Sequence, residues 1–110
     1  MKTAAAIAWG FDDNLLTRAA DVTLKEHRRL IVCARESPLH LGHLRTLAQL
    51  ADIGAIVAPL MPGFYSRPRT IEDIVDHQIG RLLDLLQIEP AGGILKRWQG
   101  PTSVDSEKAD

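Results

Sequence analysis

The sequence predicts an α/β fold in which short parallel strands alternate with helices. Two continuously apolar runs, Leu30–Ala34 and Ala55–Ala58, read as buried strands, because a strand covered on both faces loses the polar alternation of an exposed one. A third segment recurs at three- and four-residue spacing through Ile71, Ile74, Val75, Ile79, Leu82, Leu83 and Leu86, which specifies a helix of about four turns. The order strand, helix, strand, helix with short connections argues parallel pairing through right-handed crossovers.

Taken in order, the alanine-rich stretch Lys2 to Trp9 favours helix and Gly10 is placed to stop it. Asp12 or Asp13 is expected to cap a second helix from Asn14 to Ala20, with Leu15, Leu16 and Ala19 on one side. The basic segment "KEHRR", Lys25 to Arg29, reads as a turn before the first strand. Ser37 then offers an N-cap and Pro38 fills the first helical position, where its missing N–H costs nothing. The helix expected from Pro38 to about Ile53 carries Leu39, Leu44, Leu47, Ala48 and Ala51 as its apolar stripe and ends at Gly54. After the second strand, Pro59 to Gly63 is a loop, and Thr70 is the N-cap of the long helix with Asp73 at the capping-box position.

Composition narrows the function classes. A chain of 110 residues with 45% hydrophobic content supports one small domain with a single core. Thirteen basic and fourteen acidic residues leave a formal net charge of -1, so no global field draws the chain to nucleic acid or an anionic membrane, and any anion site must be local. The single cysteine, Cys33, excludes an intrachain disulfide and fits a reducing compartment. No apolar stretch approaches the roughly 18 to 20 residues of a membrane span. The N-terminal "MKTAAAIAWGFDD" lacks the apolar core and cleavage site of a signal peptide, and a cytoplasmic location is expected.

Candidate chemistry gathers at the carboxyl ends of the strands, where α/β sheets bind ligands. "RESPLH" places Arg35 and Glu36 after the first strand; a guanidinium beside a helix N-terminus makes an anion site, and surface pairing of the two charges is the alternative. "FYSRPR" places Tyr65, Arg67 and Arg69 after the second, either as donors to a phosphate or carboxylate or as a solvated loop with an aromatic anchor. Arg81 flanks the apolar stripe of the long helix, as a ligand or as a snorkelling side chain. Lys25, Arg28 and Arg29 read first as a solvated turn. His40 and His43 lack a third metal ligand at suitable spacing and read as packed or capping residues. Cys33, within the first strand, reads as a small core residue.

At these residues the chain resembles the UbiX-type flavin prenyltransferases, a branch of the flavoprotein family that also holds the flavin-dependent cysteine decarboxylases. The resemblance runs through "MKTAAAIAWGFDDNLLTRAADVTLKEHRRLIV" and "RESPLHLGHLRTLAQLADIGAIVAPLMPGFYSRPRTIEDIVDHQIGRLLDLLQI", and only the tail after Trp98 falls outside it. It implies the C-terminal part of a Rossmann/flavodoxin-like doubly wound parallel sheet in three layers, with residues 1–98 as the UbiX-like domain and 99–110 as a disordered tail. The implied reaction transfers a dimethylallyl group from dimethylallyl phosphate to reduced flavin mononucleotide (FMN), without a metal. Its product, prenylated FMN, serves a partner decarboxylase of the UbiD type. Family members assemble as trimers and dodecamers.

By the same resemblance, Met1, Lys2 and Thr3 match the family's Ser-Met-Lys-Thr flavin-binding turn, and Arg35 matches an arginine that contacts FMN. Glu36 matches a catalytic glutamate, Tyr65 and Arg81 the pair that holds the substrate phosphate, and Arg18 and Lys25 further basic residues around it. Trp98 is a candidate shield for an allyl cation. The family's first strand and its Gly-Ala-Ser-Gly flavin loop have no counterpart here. The expectation is therefore an N-terminally truncated chain with exposed apolar faces, binding FMN weakly on its own. Two alternatives accompany the enzyme: a non-catalytic interaction subunit, and a flavin-dependent decarboxylase of cysteine-like substrates.

Overall fold

A computed structural model of the chain describes residues 1–89; Trp98 and the tail from Gln99 lie outside the described residues. The chain divides into two compact units, Met1–Leu60 and a second that begins at Met61.

The first unit is α/β. Its elements in order are α1 (Lys2–Trp9), α2 (Leu15–Lys25), β1 (Ile31–Val32), α3 (Leu41–Asp52) and β2 (Ile56–Val57). The strands pair in parallel, Ile31 opposite Ile56 and Val32 opposite Val57. The Ile56 N–H donates to the Leu30 carbonyl at 2.8 Å, and the Ala58 N–H to that of Val32 at 2.9 Å. Both strands are shorter than the apolar runs predict, because each has a single neighbour among the described residues and regular pairing lasts only where the two oppose one another. Cys33 consequently lies past the end of β1 and is exposed, which corrects its expected place in the core.

Helix α1 keeps its predicted limits. Gly10 takes a left-handed conformation (φ 74°), and the Phe11 N–H returns to the Ala6 carbonyl at 2.8 Å, so the last turn is closed by the residue type best able to turn there. Helix α2 runs one and a half turns further than expected and absorbs Lys25 from the basic segment. Its cap is Asn14, not Asp12 or Asp13: Asn14 Oδ1 accepts the Thr17 N–H at 2.8 Å, and Thr17 Oγ1 lies 3.3 Å from the Asn14 N–H in a reciprocal box. Helix α3 starts at Leu41 rather than Pro38. His40 Nδ1 accepts the His43 N–H at 3.2 Å and His43 Nδ1 the His40 N–H at 3.4 Å, with the two rings stacked 3.5 Å apart. These imidazoles supply the acceptors that Ser37 was expected to provide.

The core of this unit is Ala4, Ala8, Leu50 and Ala55, with Met1, Ile7, Leu24, Leu30, Leu47, Val32 and Val57 packed against it. Two predicted stripes are corrected. On α2 the buried positions are Thr17 and Ala20, while Leu15 is 83% exposed; on α3 the buried position is Leu50, fully enclosed, while Leu44 and Ala48 face outward. Helices α1, α2 and α3 thus keep apolar outer residues such as Trp9, Leu15, Leu16, Leu41 and Leu44, in line with the expected exposure of apolar faces.

Among the described residues, the second unit holds a 3-10 turn, Phe64–Ser66, and α4 (Ile71–Leu85). Thr70 caps α4 as predicted, its Oγ1 accepting the Asp73 N–H at 3.0 Å. Asp73 Oδ2 accepts the Arg69 N–H at 3.0 Å. That hydrogen bond, chiefly, holds the Asp73 carboxyl below its ordinary value of 3.8. A lowered folded-state value means that ionised Asp73 supports the start of α4 above pH 3.8, and that the support is lost as pH falls through the lowered value. The Arg69 amide resonance is expected to titrate with a midpoint below 3.8 and to stop titrating there in Asp73→Asn; a midpoint at or above 3.8 contradicts the bond.

Candidate functional site

The first unit sets its candidate residues on three elements. Met1 is the N-cap of α1 and offers no side-chain hydrogen bond, so the first N–H groups of that helix lack intrahelical acceptors while Lys2 and Thr3 are exposed beside them. Met1 also packs on the core cluster that receives Val32 and Val57, which ties the start of α1 to the two-stranded sheet. Arg35 and Glu36 lie beyond Cys33 and Ala34 after the end of β1 and are exposed, on the carboxyl side expected of ligand-binding residues in such sheets.

Arg18 and Lys25 both belong to α2. They stand seven positions apart, close to two full turns, so they share one line along the helix at a rise of about 10 Å. Both are exposed on the outer side, opposite the buried Thr17 and Ala20. Lys25 occupies the last turn of α2, where its charge also complements the helix dipole. Among the described residues, the side chains of Arg18, Lys25, Arg35 and Glu36 form no hydrogen bond or ion pair with one another.

Chemically, exposed cations and unsatisfied helix N–H groups favour a ligand rich in carbonyl or phosphate oxygens. That donor set fits the polar parts of FMN. It does not resemble a metal centre: His40 and His43 spend their Nδ1 atoms on the start of α3, and no group of three His, Cys, Asp or Glu among the described residues is placed to hold a metal ion.

The second unit contains an arrangement that sequence reasoning missed. Tyr65, on the 3-10 turn, lies with its hydroxyl 2.9 Å from His77 Nε2 on α4, and the two rings meet edge to face at 81° with centroids 5.5 Å apart. Arg81 stands one turn beyond His77 on α4, so the phenol, the imidazole and the guanidinium belong to the same side of the helix. The available signal was a histidine four residues before Arg81. A partner twelve residues away, reached through an irregular loop, leaves no periodic trace in the sequence. Arg67 closes the turn with a left-handed backbone (φ 53°), and Arg69 is committed through its N–H to Asp73.

No family model matches the chain. The flavin prenyltransferase UbiX of Escherichia coli is 48% identical over 100 residues, which is 91% of this chain and 53% of that protein. The flavin prenyltransferase UbiX of Archaeoglobus fulgidus is 52% identical over 89 residues, 81% of this chain and 49% of that protein. Over this half, the chain is similar to the UbiX-type flavin prenyltransferases. Among solved structures, AnUbiX in complex with FMN and dimethylallyl pyrophosphate superposes with a TM-score of 0.82 at 46% identity, over 91% of this chain and 52% of that one. A dodecameric FMN-dependent Ubix-like decarboxylase from Escherichia coli gives 0.80 at 44% identity, over 90% and 52%. The chain spans about half the length of the UbiX proteins it matches. No helix among the described residues is long and apolar enough to cross a membrane.

Proposed function

We propose that this UbiX-like chain serves a flavin prenyltransferase, which moves a dimethylallyl group from dimethylallyl phosphate to reduced FMN. The observation that carries the proposal is its likeness, at 46% identity, to a structure that binds FMN and a dimethylallyl ester. Reduced FMN, when bound, supplies the nucleophilic ring positions that accept the prenyl group.

The chain's own residues have the chemistry for the remaining tasks. Heterolysis of the allylic C–O bond sends the electron pair out with the phosphate, whose charge grows towards the transition state. Preorganised cations and a phenol stabilise that state more than the ground state. Tyr65 and Arg81 take this role, and Arg18 and Lys25 are further basic partners of the phosphate. Arg35, with Met1, Lys2 and Thr3 at the start of α1, is assigned to the flavin. Glu36 relays the proton released as the prenyl group is joined.

The same reading gives residues 1–98 as one UbiX-like domain of a doubly wound, three-layer sheet, residues 99–110 as a tail, a cytoplasmic homo-oligomer, and a UbiD-type decarboxylase as recipient of the prenylated FMN. The outward apolar residues of α2 and α3 suit assembly in such an oligomer.

Incubating the native protein with reduced FMN and dimethylallyl phosphate is expected to yield a flavin heavier by one prenyl group, detected by mass. In the active protein, Tyr65→Phe and Arg81→Ala are expected to raise the KM for dimethylallyl phosphate by roughly tenfold or more, the worth of hydrogen bonds to a charged group, with FMN affinity unchanged. Equal loss of FMN binding in these variants contradicts the assigned roles, and absence of the prenylated product contradicts the reaction.

A further inference from the structure

We infer that His77 is a positioning residue for Tyr65, and that Gly63 completes the arrangement by leaving room for the tyrosine ring. The inference rests on the prenyl-transfer reading above and extends it to residues that reading leaves without a role.

Three observations converge. His77 Nε2 and Tyr65 Oη are at hydrogen-bond distance, 2.9 Å, and their rings meet edge to face. A Cβ built on Gly63 would stand 2.8 Å from Tyr65 Cε1 and 3.3 Å from His77 Nε2, so a side chain there would have to displace the tyrosine ring from its place beside His77. The turn itself is closed, with Ser66 Oγ donating to the Gly63 carbonyl at 2.8 Å and the Ser66 N–H to the same oxygen at 3.2 Å. Tyr65 is 64% exposed, and this hydrogen bond and the glycine contact both constrain where its ring points.

The proton inventory sets the direction of the bond. A phenol has one proton, and an imidazole Nε2 either donates or accepts according to its tautomer. If Tyr65 gave its proton to His77, it would have none for a phosphate oxygen. With the proton on Nε2, His77 donates to Oη, holds the ring, and leaves the phenolic proton for the phosphate of the prenyl donor. Arg81, one turn further along α4, is placed for the same anion.

The test is kinetic and spectroscopic, in the native protein with dimethylallyl phosphate and reduced FMN. His77→Phe is expected to raise the KM for dimethylallyl phosphate five- to tenfold, about the range of one hydrogen bond, with kcat and FMN affinity nearly unchanged. His77→Gln, whose amide can donate from a similar position, restores most of the loss. In a Tyr65→Phe background, His77→Phe adds little, because the hydroxyl it serves is gone. Gly63→Ala gives the same rise in KM by displacing the ring. The nitrogen shifts of His77 without substrate are expected to report the Nε2–H tautomer. An unchanged KM in His77→Phe, full additivity with Tyr65→Phe, or an Nδ1–H tautomer overturns the inference while prenyl transfer stands. No prenyl transfer by the unsubstituted protein overturns the functional reading and this role with it.

Discussion

Replacing Leu50 with alanine is expected to unfold the Met1–Leu60 unit at room temperature. Leu50 is the one large apolar side chain of that unit that is fully enclosed, and the other buried members of its cluster are the alanines Ala4, Ala8 and Ala55. Truncation removes its transfer free energy and leaves a cavity that small neighbours cannot fill, a loss of about 2 to 5 kcal/mol. A unit of this size has little more stability than that to lose. Leu44→Ala makes the same chemical change on the exposed side of α3 and is expected to cost under about 0.5 kcal/mol. Urea unfolding followed by amide protection in α1 and α3 compares the two. Equal losses would mean that the outer face of α3 is also packed in the native assembly, and the assigned core would then be wrong.

In the active enzyme, Glu36→Gln is expected to lower kcat by roughly 10²- to 10³-fold, the lower part of the range for a positioned acid–base group, with FMN affinity retained. Glutamine keeps the size of the side chain and removes its ability to take up a proton. The position favours this role over a structural one: Glu36 is exposed just beyond the end of β1, and truncating it removes no buried contact. Turnover within threefold of the unsubstituted enzyme, measured at saturating substrate, would assign the proton transfer elsewhere. A matched fall in thermal stability would point instead to a structural task for the carboxylate.

The placement of Arg35 and Glu36 was legible in the sequence because an apolar run followed by a helix-start signal marks the carboxyl end of a strand. Tyr65 and Arg81 were each legible as candidate anion ligands, and their pairing only as what the family resemblance implies; the approach of His77 to Tyr65 left no signal beyond a histidine four residues before Arg81. The hydrogen bond of His77 depends on the 3-10 turn at Phe64–Ser66 and on the absence of a side chain at Gly63. Local propensity does not specify that geometry.

The sequence by itself determined that α1 ends at Gly10, that α4 begins after Thr70, that the two apolar runs pair in parallel, and that the chain resembles the UbiX proteins. These features follow from short-range steric and hydrogen-bonding rules, or from ordered motifs. Only the tertiary structure decided which helix faces are buried. Helices α2 and α3 each carry two adjacent apolar faces, and periodicity reports that a face exists without saying what it meets. Burial of Leu50 rather than Leu44, and of Thr17 rather than Leu16, is set by the approach of α1 and β2, which is a property of packing between distant segments.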